Sequence, residues 1–218
     1  MRCNLCPRHC NAERSETEGQ GYCRMGTLPQ VARAARHFWE EPCLSGERGS
    51  GTVFFCGCSL GCVFCQNATI SGGALPGRTM TPRELSGLFE RVEALGVHNL
   101  NLVTPTHFAP AVLEALSLRR PGVPVVWNSS GYESLETLRA AEGLVDVYLP
   151  DLKYFKASTS AELANAPDYF ETALAAVREM CRQTGAPVYD AQGMMQRGTL
   201  VRHLVLPLRV DETVEILR

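Results

Sequence analysis

From about residue 50 onward the chain repeats one unit: a short apolar run, a turn, then a stretch with helical spacing of its apolar residues. Strand-like runs fall at 51–55, 99–104, 123–127, 145–149 and 199–206. Between them the spacing predicts helices at 110–118, 134–141 and 168–184, and another opening at Asp211. The first helix is the best marked. Thr81-Pro82-Arg83-Glu84 supplies an N-cap, a proline at the first helical position and the glutamate of a capping box, and Gly96 ends it. Leu85, Leu88, Phe89, Val92 and Leu95 form its apolar face. Five strands alternating with helices imply parallel pairing through right-handed crossovers. Such an array opens as a doubly wound sheet or curls into a barrel, and in both cases chemistry gathers at the carboxyl ends of the strands. Thr104 and Thr106, Asn128-Ser129-Ser130, and Asp151 with Lys153 lie at those ends. Turns favour the same residue types, so position alone leaves both uses open.

Composition narrows the class. The chain has 218 residues, 45% hydrophobic and 20% charged, which describes a globular protein and not a disordered one. A net charge of −2 gives no electrostatic reason to expect nucleic acid or an anionic membrane surface. No apolar run approaches the roughly 18 residues needed to cross a bilayer. The start, MRCNLCPRHC, lacks the apolar core of a signal peptide, so a cytoplasmic chain is expected.

Ten cysteines are the unusual feature, and nine of them precede residue 66. A disulfide scaffold needs cysteine above roughly 8–10% in a short secreted chain; clustered thiols in a reducing compartment read first as metal ligands. The composition divides the chain into a Cys-rich segment, 1–48, and the βα array, 49–218. Directly after the first strand comes Cys56-Gly-Cys58-Ser-Leu-Gly-Cys62-Val-Phe64-Cys65-Gln-Asn, in which Cys58, Cys62 and Cys65 are spaced C-x3-C-x2-C. Three thiolates on one compact loop can hold three irons of a [4Fe–4S] cube and leave the fourth iron open. Zinc with a fourth ligand is the competitor. Cys56 shares the loop, but its C-x-C spacing to Cys58 turns the two side chains apart on extended backbone, as a buried small side chain would be.

These residues resemble the radical S-adenosylmethionine (SAM) superfamily. The flanks His37-Phe-Trp-Glu-Glu-Pro-Cys43, Gly49-Ser-Gly-Thr-Val-Phe-Phe55, Cys65-Gln-Asn67, Val103-Thr-Pro-Thr-His107 and Arg202-His-Leu-Val-Leu-Pro207 are similar to its pyruvate formate-lyase activating enzyme-like branch. The resemblance runs over essentially the whole chain. It implies an α/β fold, a partial (β/α)6 TIM-like barrel, with the run of elements stopping after the fifth strand. It also implies a [4Fe–4S] cluster on Cys58, Cys62 and Cys65 that cleaves SAM to a 5′-deoxyadenosyl radical. Implied partners are an electron donor such as flavodoxin or ferredoxin, and a glycyl-radical enzyme as substrate. Radical modification of another peptide or small molecule, and a zinc-stabilised interaction module without chemistry, stay open beside it.

Cofactor contacts follow residue by residue. Phe64 precedes the last cysteine as the family's aromatic does. Asp151 and Lys153 match an Asp-x-Lys after the fourth strand that helps hold SAM or a nearby cation, and they share strand parity with Val147 and Leu149. Arg202, apolar on both sides, needs an anionic or carbonyl partner, which is either the SAM carboxylate or a protein carboxylate. Asn128 and Ser129 end the third strand near the cofactor. The family's Gly-Gly-Glu stretch is absent, so Thr104, Thr106 or backbone carbonyls must meet the SAM amino group. His107 either faces substrate or is a satisfied loop residue; His37, His98 and His203 are expected to be structural. Ser71-Gly72-Gly73 reads as a plain loop, lacking the remainder of a phosphate-binding motif. Cys3, Cys6, Cys10 and Cys23, four thiols in 21 residues, suffice for zinc or a second Fe–S cluster. In relatives Pro7, His9 and Arg14 accompany these cysteines.

Overall fold

The computed structural model describes residues 2–72 and 77–218. Two short strands, β1 (Arg2–Cys3) and β2 (Ala12–Glu13), pair antiparallel and tie down the amino-terminal segment. There follow β3 (Gln30–His37), α1 (Pro42–Ser45), β4 (Ser50–Phe55), α2 (Ala68–Ser71), β5 (Arg78–Thr79), α3 (Pro82–Glu93) and β6 (Leu100–Val103). After a 3-10 turn, Thr106–Phe108, come α4 (Ala109–Leu118), β7 (Val125–Ser129), α5 (Leu135–Ala141), β8 (Val147–Pro150), α6 (Ala157–Ala164), α7 (Tyr169–Thr184), β9 (Val188–Tyr189), β10 (Met195–Thr199) and α8 (Val210–Leu217).

The main sheet runs β5-β3-β4-β6-β7-β8-β10-β9 among the described residues. Its five central strands, β4, β6, β7, β8 and β10, pair parallel, as the alternating pattern predicts. Antiparallel strands flank them, β3 and β5 at one edge and β9 at the other. The capping box of α3 forms as spelled: Thr81 Oγ1 accepts from the Glu84 N–H at 3.3 Å, and Glu84 Oε2 accepts from the Thr81 N–H at 2.9 Å. Ser134 caps α5 in the same way.

Strand pleating sorts side chains to two faces. Val53, Leu102, Trp127 and Tyr148 point to one, where α3, α4, α5 and α7 cover them with Leu85, Phe89, Val112, Leu116, Leu138 and Met180. Val126, Val147 and Leu149 point to the other and meet Leu44 of α1 and Met195. A third apolar group, Leu60, Tyr132, Leu152, Tyr154, Tyr169 and Leu206, sits beyond the carboxyl ends of β7 and β8.

The predicted fifth strand is displaced. β10 ends at Thr199, and the chain then follows β8 only through single contacts, such as the Arg202 N–H to the Pro150 carbonyl at 2.9 Å. From His203 it leaves the sheet, because Leu206 turns into the third apolar group instead of continuing the ladder. β3 lies within the Cys-rich stretch and is a full partner of β4. α6 also escaped the periodicity, since Ala157–Ala164 carries little apolar bulk. Of the expected Ser71-Gly72-Gly73 loop, Ser71 instead ends α2 and Gly72 caps it, while Gly73 lies outside the described residues.

Candidate active site

The cysteine loop leaves β4 at its carboxyl end and is folded by its own backbone. Gly57 and Gly61 take φ of 78° and 73°, in the region open to glycine. Leu60, fully buried, drops into the third apolar group, and Cys58, Cys62 and Phe64 pack against the same group. The Leu60 N–H reaches Cys58 Sγ at 3.3 Å, and Cys65 Sγ lies 3.5 Å from Ser71 Oγ. Cys56 points elsewhere. It is buried in the main core, where its sulfur takes the space that a Cβ on Gly77 would need, so its expected role as a buried small side chain fits the structure.

The three thiols feel one another. Burial pushes the Cys58 and Cys62 thiols up; Cys65 adds to the shift at Cys58, and Cys58 and Cys65 add to that at Cys62. The Lys153 ammonium opposes both shifts, which places the cation at the end of β8 within electrostatic reach of the loop. The Tyr154 hydroxyl faces the Cys62 thiol and favours its ionised form. Phe64 leans on Tyr154, ring centroids 6.2 Å apart.

Next to Lys153 a polar network occupies the sheet face opposite the four covering helices. Lys153 Nζ is 2.5 Å from Asp151 Oδ2, and Asp151 Oδ1 accepts from Arg202 Nε at 2.9 Å. Arg202 also donates to Asn128 Oδ1 at 2.7 Å and pairs with Glu40 Oε2 at 3.3 Å. Glu40 Oε1 accepts from Asn101 at 3.0 Å and from Asn128 at 3.3 Å. Burial pushes the Glu40 carboxyl up, and Arg202 works against that shift. The partners of Arg202 in this structure are thus protein carboxylates. Asn128, Asp151, Lys153 and Arg202 come together as their strand parity requires.

Ser129 and Thr106 point the other way, toward Glu133. This fully buried carboxylate accepts from Thr106 Oγ1 at 2.6 Å and from Trp127 Nε1 at 3.3 Å, and burial pushes it up to about 7. Thr104 holds a φ of 59°, unusual for a β-branched residue, with its N–H on the Asn128 carbonyl at 2.8 Å. His107 is buried, bonded to the Cys56 carbonyl at 2.7 Å and pushed down to about 4. Of the two alternatives this is the buried loop histidine, with one ring nitrogen bonded and Nδ1 buried without a partner. His203 bridges the Leu152 carbonyl and Thr213, as a structural histidine does.

Sequence reasoning missed Glu40, Glu133 and Arg8. Glu40 lies inside the quoted His37–Cys43 motif and could have been found there. Arg8 sits between Cys6 and Cys10; its guanidinium donates to the carbonyls of Ser59 at 2.7 Å and Leu60 at 2.8 Å, in the middle of the cysteine loop.

The donor set suits an iron–sulfur cube with three protein ligands: three soft donors on one loop, backed by apolar side chains and faced by one cation. Among the described residues no three His, Cys, Asp or Glu side chains converge on a single-ion position, and a cube spreads its thiolates wider than one ion does. No helix among the described residues is long and apolar enough to cross a membrane.

Comparison with known proteins agrees with this chemistry. An uncharacterized protein of Methanocaldococcus jannaschii, MJ0674, is 30% identical over 217 residues, covering 96% of this chain and 58% of that protein. A second from the same organism, MJ0808, is 24% identical over 240 residues, covering 100% of this chain and 64% of its own length. The chain therefore spans less than two thirds of the length of these curated relatives. The profile of the Radical SAM superfamily matches residues 52–215, from β4 into α8. This chain belongs to the radical SAM superfamily, a membership that implies a [4Fe–4S] cluster and SAM as cofactors.

Proposed function

We propose that Cys58, Cys62 and Cys65 hold the cluster through three irons and that SAM occupies the remaining one, making the chain a radical SAM oxidoreductase. The observation that carries this reading is the trio of thiols on one loop with Lys153 facing it from the next sheet end but two. Cluster and SAM together supply the cleavage of the sulfonium bond to methionine and a 5′-deoxyadenosyl radical, which takes a hydrogen atom from the substrate.

The chain's own residues bind, orient and exclude water. Leu60, Tyr154 and Tyr169 close the apolar side of the loop. Arg202 and Lys153 offer positive charge, and Glu40 and Asp151 negative charge, within one network. A zwitterionic amino-acid head needs both signs; Arg202 would meet its carboxylate by giving up part of its pairing with Glu40 and Asp151. Because the Thr106 hydroxyl is committed to Glu133, Thr104 is the better placed of the two for the SAM amino group. Its left-handed backbone is held there by the Asn128 carbonyl.

For substrate we favour a glycine of a partner glycyl-radical enzyme, with flavodoxin or ferredoxin as electron donor. The motifs similar to pyruvate formate-lyase activating enzymes support that choice; another peptide or a small molecule is the alternative. Anaerobic reconstitution with iron and sulfide, then dithionite and SAM, tests the chemistry itself. Wild type should release 5′-deoxyadenosine and Cys58→Ala should not. Equal yields from the two proteins would overturn the assignment.

A further inference from the structure

The amino-terminal thiols take no part in the site described above. Cys3 and Cys6 are buried, Cys23 is half-buried and Cys10 is exposed. They stand near one another: Cys10 Sγ lies 3.9 Å from the Cys3 carbonyl, and Cys3, Cys6 and Cys23 are close enough to act on one another's charge. Gly21 lets the two ends of the segment approach, since a Cβ there would lie 2.9 Å from Cys10 Sγ.

Two observations point beyond packing. First, the backbone N–H of Arg8 is directed at the Cys6 sulfur and that of Met25 at the Cys23 sulfur, each two residues further along. Cys58, on the cluster loop, receives the Leu60 N–H with the same offset. Donors fixed on sulfur favour thiolate over thiol. Second, Arg14 is a buried cation, 7% exposed, and none of the ion pairs among the described residues includes it. It donates to the carbonyls of Met25 at 3.0 Å, His107 at 2.8 Å and Gly26, and its remaining terminal nitrogen points to Cys3 Sγ at 3.3 Å. Carbonyls satisfy part of this guanidinium's donors but leave its charge uncompensated, and the remaining donor faces a sulfur that would balance it only as a thiolate.

We propose that Cys3, Cys6, Cys10 and Cys23 form a second metal centre, distinct from the Cys58, Cys62 and Cys65 loop, in which four thiolates bind a thiophilic metal and Arg14 supplies the counter-charge. Four thiolates around a divalent ion, or around an iron–sulfur core of charge 2+, keep a net negative charge for Arg14 to balance. Among the described residues the four thiols are not gathered around one ion position; an iron–sulfur cluster, whose thiolates stand further apart, is the form taken to the test, with zinc as the other outcome. This centre stands whether or not SAM binds at the other loop.

The test is metal and sulfide analysis of the anaerobically reconstituted full chain. A Cys58→Ala, Cys62→Ala, Cys65→Ala triple variant should keep about four irons per chain. Adding Cys6→Ser and Cys23→Ser should remove them. Zinc in place of iron in the triple variant upholds the centre and overturns its assignment as a cluster. A folded triple variant carrying no metal overturns the proposal. Should the triple variant fail to fold, wild type is compared with Cys6→Ser, Cys23→Ser alone: iron should fall from about eight to about four per chain, and equal metal content in the two overturns the proposal.

Discussion

The Arg8 guanidinium carbon lies over the Tyr22 ring, 3.8 Å from its centroid, and the group reaches the Leu60 carbonyl at 2.8 Å. Tyr22 donates its own hydroxyl to the same carbonyl at 3.1 Å. Arg8 also bonds the Ala164 carbonyl at 2.8 Å and that of Asn165. One side chain thus joins the amino-terminal segment, the cysteine loop and the end of α6.

Replacing Arg8 with alanine should therefore cost about 2–3 kcal/mol of stability, through orphaned carbonyls and a lost cation–π contact. It should also lower cluster retention by loosening the Cys58–Cys62 turn. Arg8→Lys should rescue little, because a point charge cannot serve four carbonyls from one plane. Chemical denaturation and iron content after desalting check both effects; wild-type iron content in Arg8→Ala would contradict the coupling.

Glu133 and His107 should give opposing pH dependences. Glu133 rises from 4.5 to about 7 on folding, so between those values the folded chain holds a proton the unfolded chain has lost, and stability from this group falls as pH rises. His107 drops from 6.5 to about 4, so the unfolded chain holds the extra proton there, and stability from this group rises with pH. The two windows overlap and largely offset. Glu133→Gln should become more stable relative to wild type as pH increases from 5 to 7.5. Unfolding free energies measured across that range check the sign, and a constant difference would contradict it.

Arg202 faces Glu40 and Asp151 at once, with Glu41 Oε1 at 3.9 Å. Arg202→Met leaves these carboxylates facing each other and should cost about 3 kcal/mol. Glu40→Gln should cost less, about 1–2 kcal/mol: Asn101 and Asn128 can still donate to the amide oxygen, but the amide nitrogen then faces Arg202 Nη1, which loses an acceptor. Urea unfolding of the two variants tests the order of the costs.

Cys56 tests the ligand assignment. Cys56→Ala should keep the wild-type iron content and cost about 1–2 kcal/mol for the cavity it leaves. Cys62→Ala should lose the cluster. Iron loss from Cys56→Ala would make Cys56 a ligand.

The parallel core was legible because each central strand is a short apolar run set off by turn residues and followed by a helix with its own cap. At α3, Thr81, Pro82 and Glu84 together fixed the boundary; the structure adds Ser134 as the N-cap of α5. β3 was hidden because its sequence, QVARAARH, mixes small and basic residues at a sheet flank where only Val31 is buried. The far end of β10 was misread because 200–206 is as apolar as a strand, yet Leu206 spends that character on the third apolar group. For the site, strand parity grouped Asp151 with Lys153 and placed them at the right sheet end. Parity also separates Asn128 from Ser129, which point to opposite faces. Glu40 is brought beside those residues, and Arg8 to the cysteine loop, across long stretches of chain by the tertiary fold; Glu133, only four residues past Ser129, was missed because nothing in its local sequence marks its burial.

The central claim is tested most directly by electron paramagnetic resonance of the dithionite-reduced protein, recorded with and without SAM. The account predicts an iron–sulfur signal whose line shape changes when SAM is added, with the SAM-sensitive part missing from the Cys58→Ala, Cys62→Ala, Cys65→Ala variant. A spectrum indifferent to SAM, or a SAM response that survives in that variant, would contradict it.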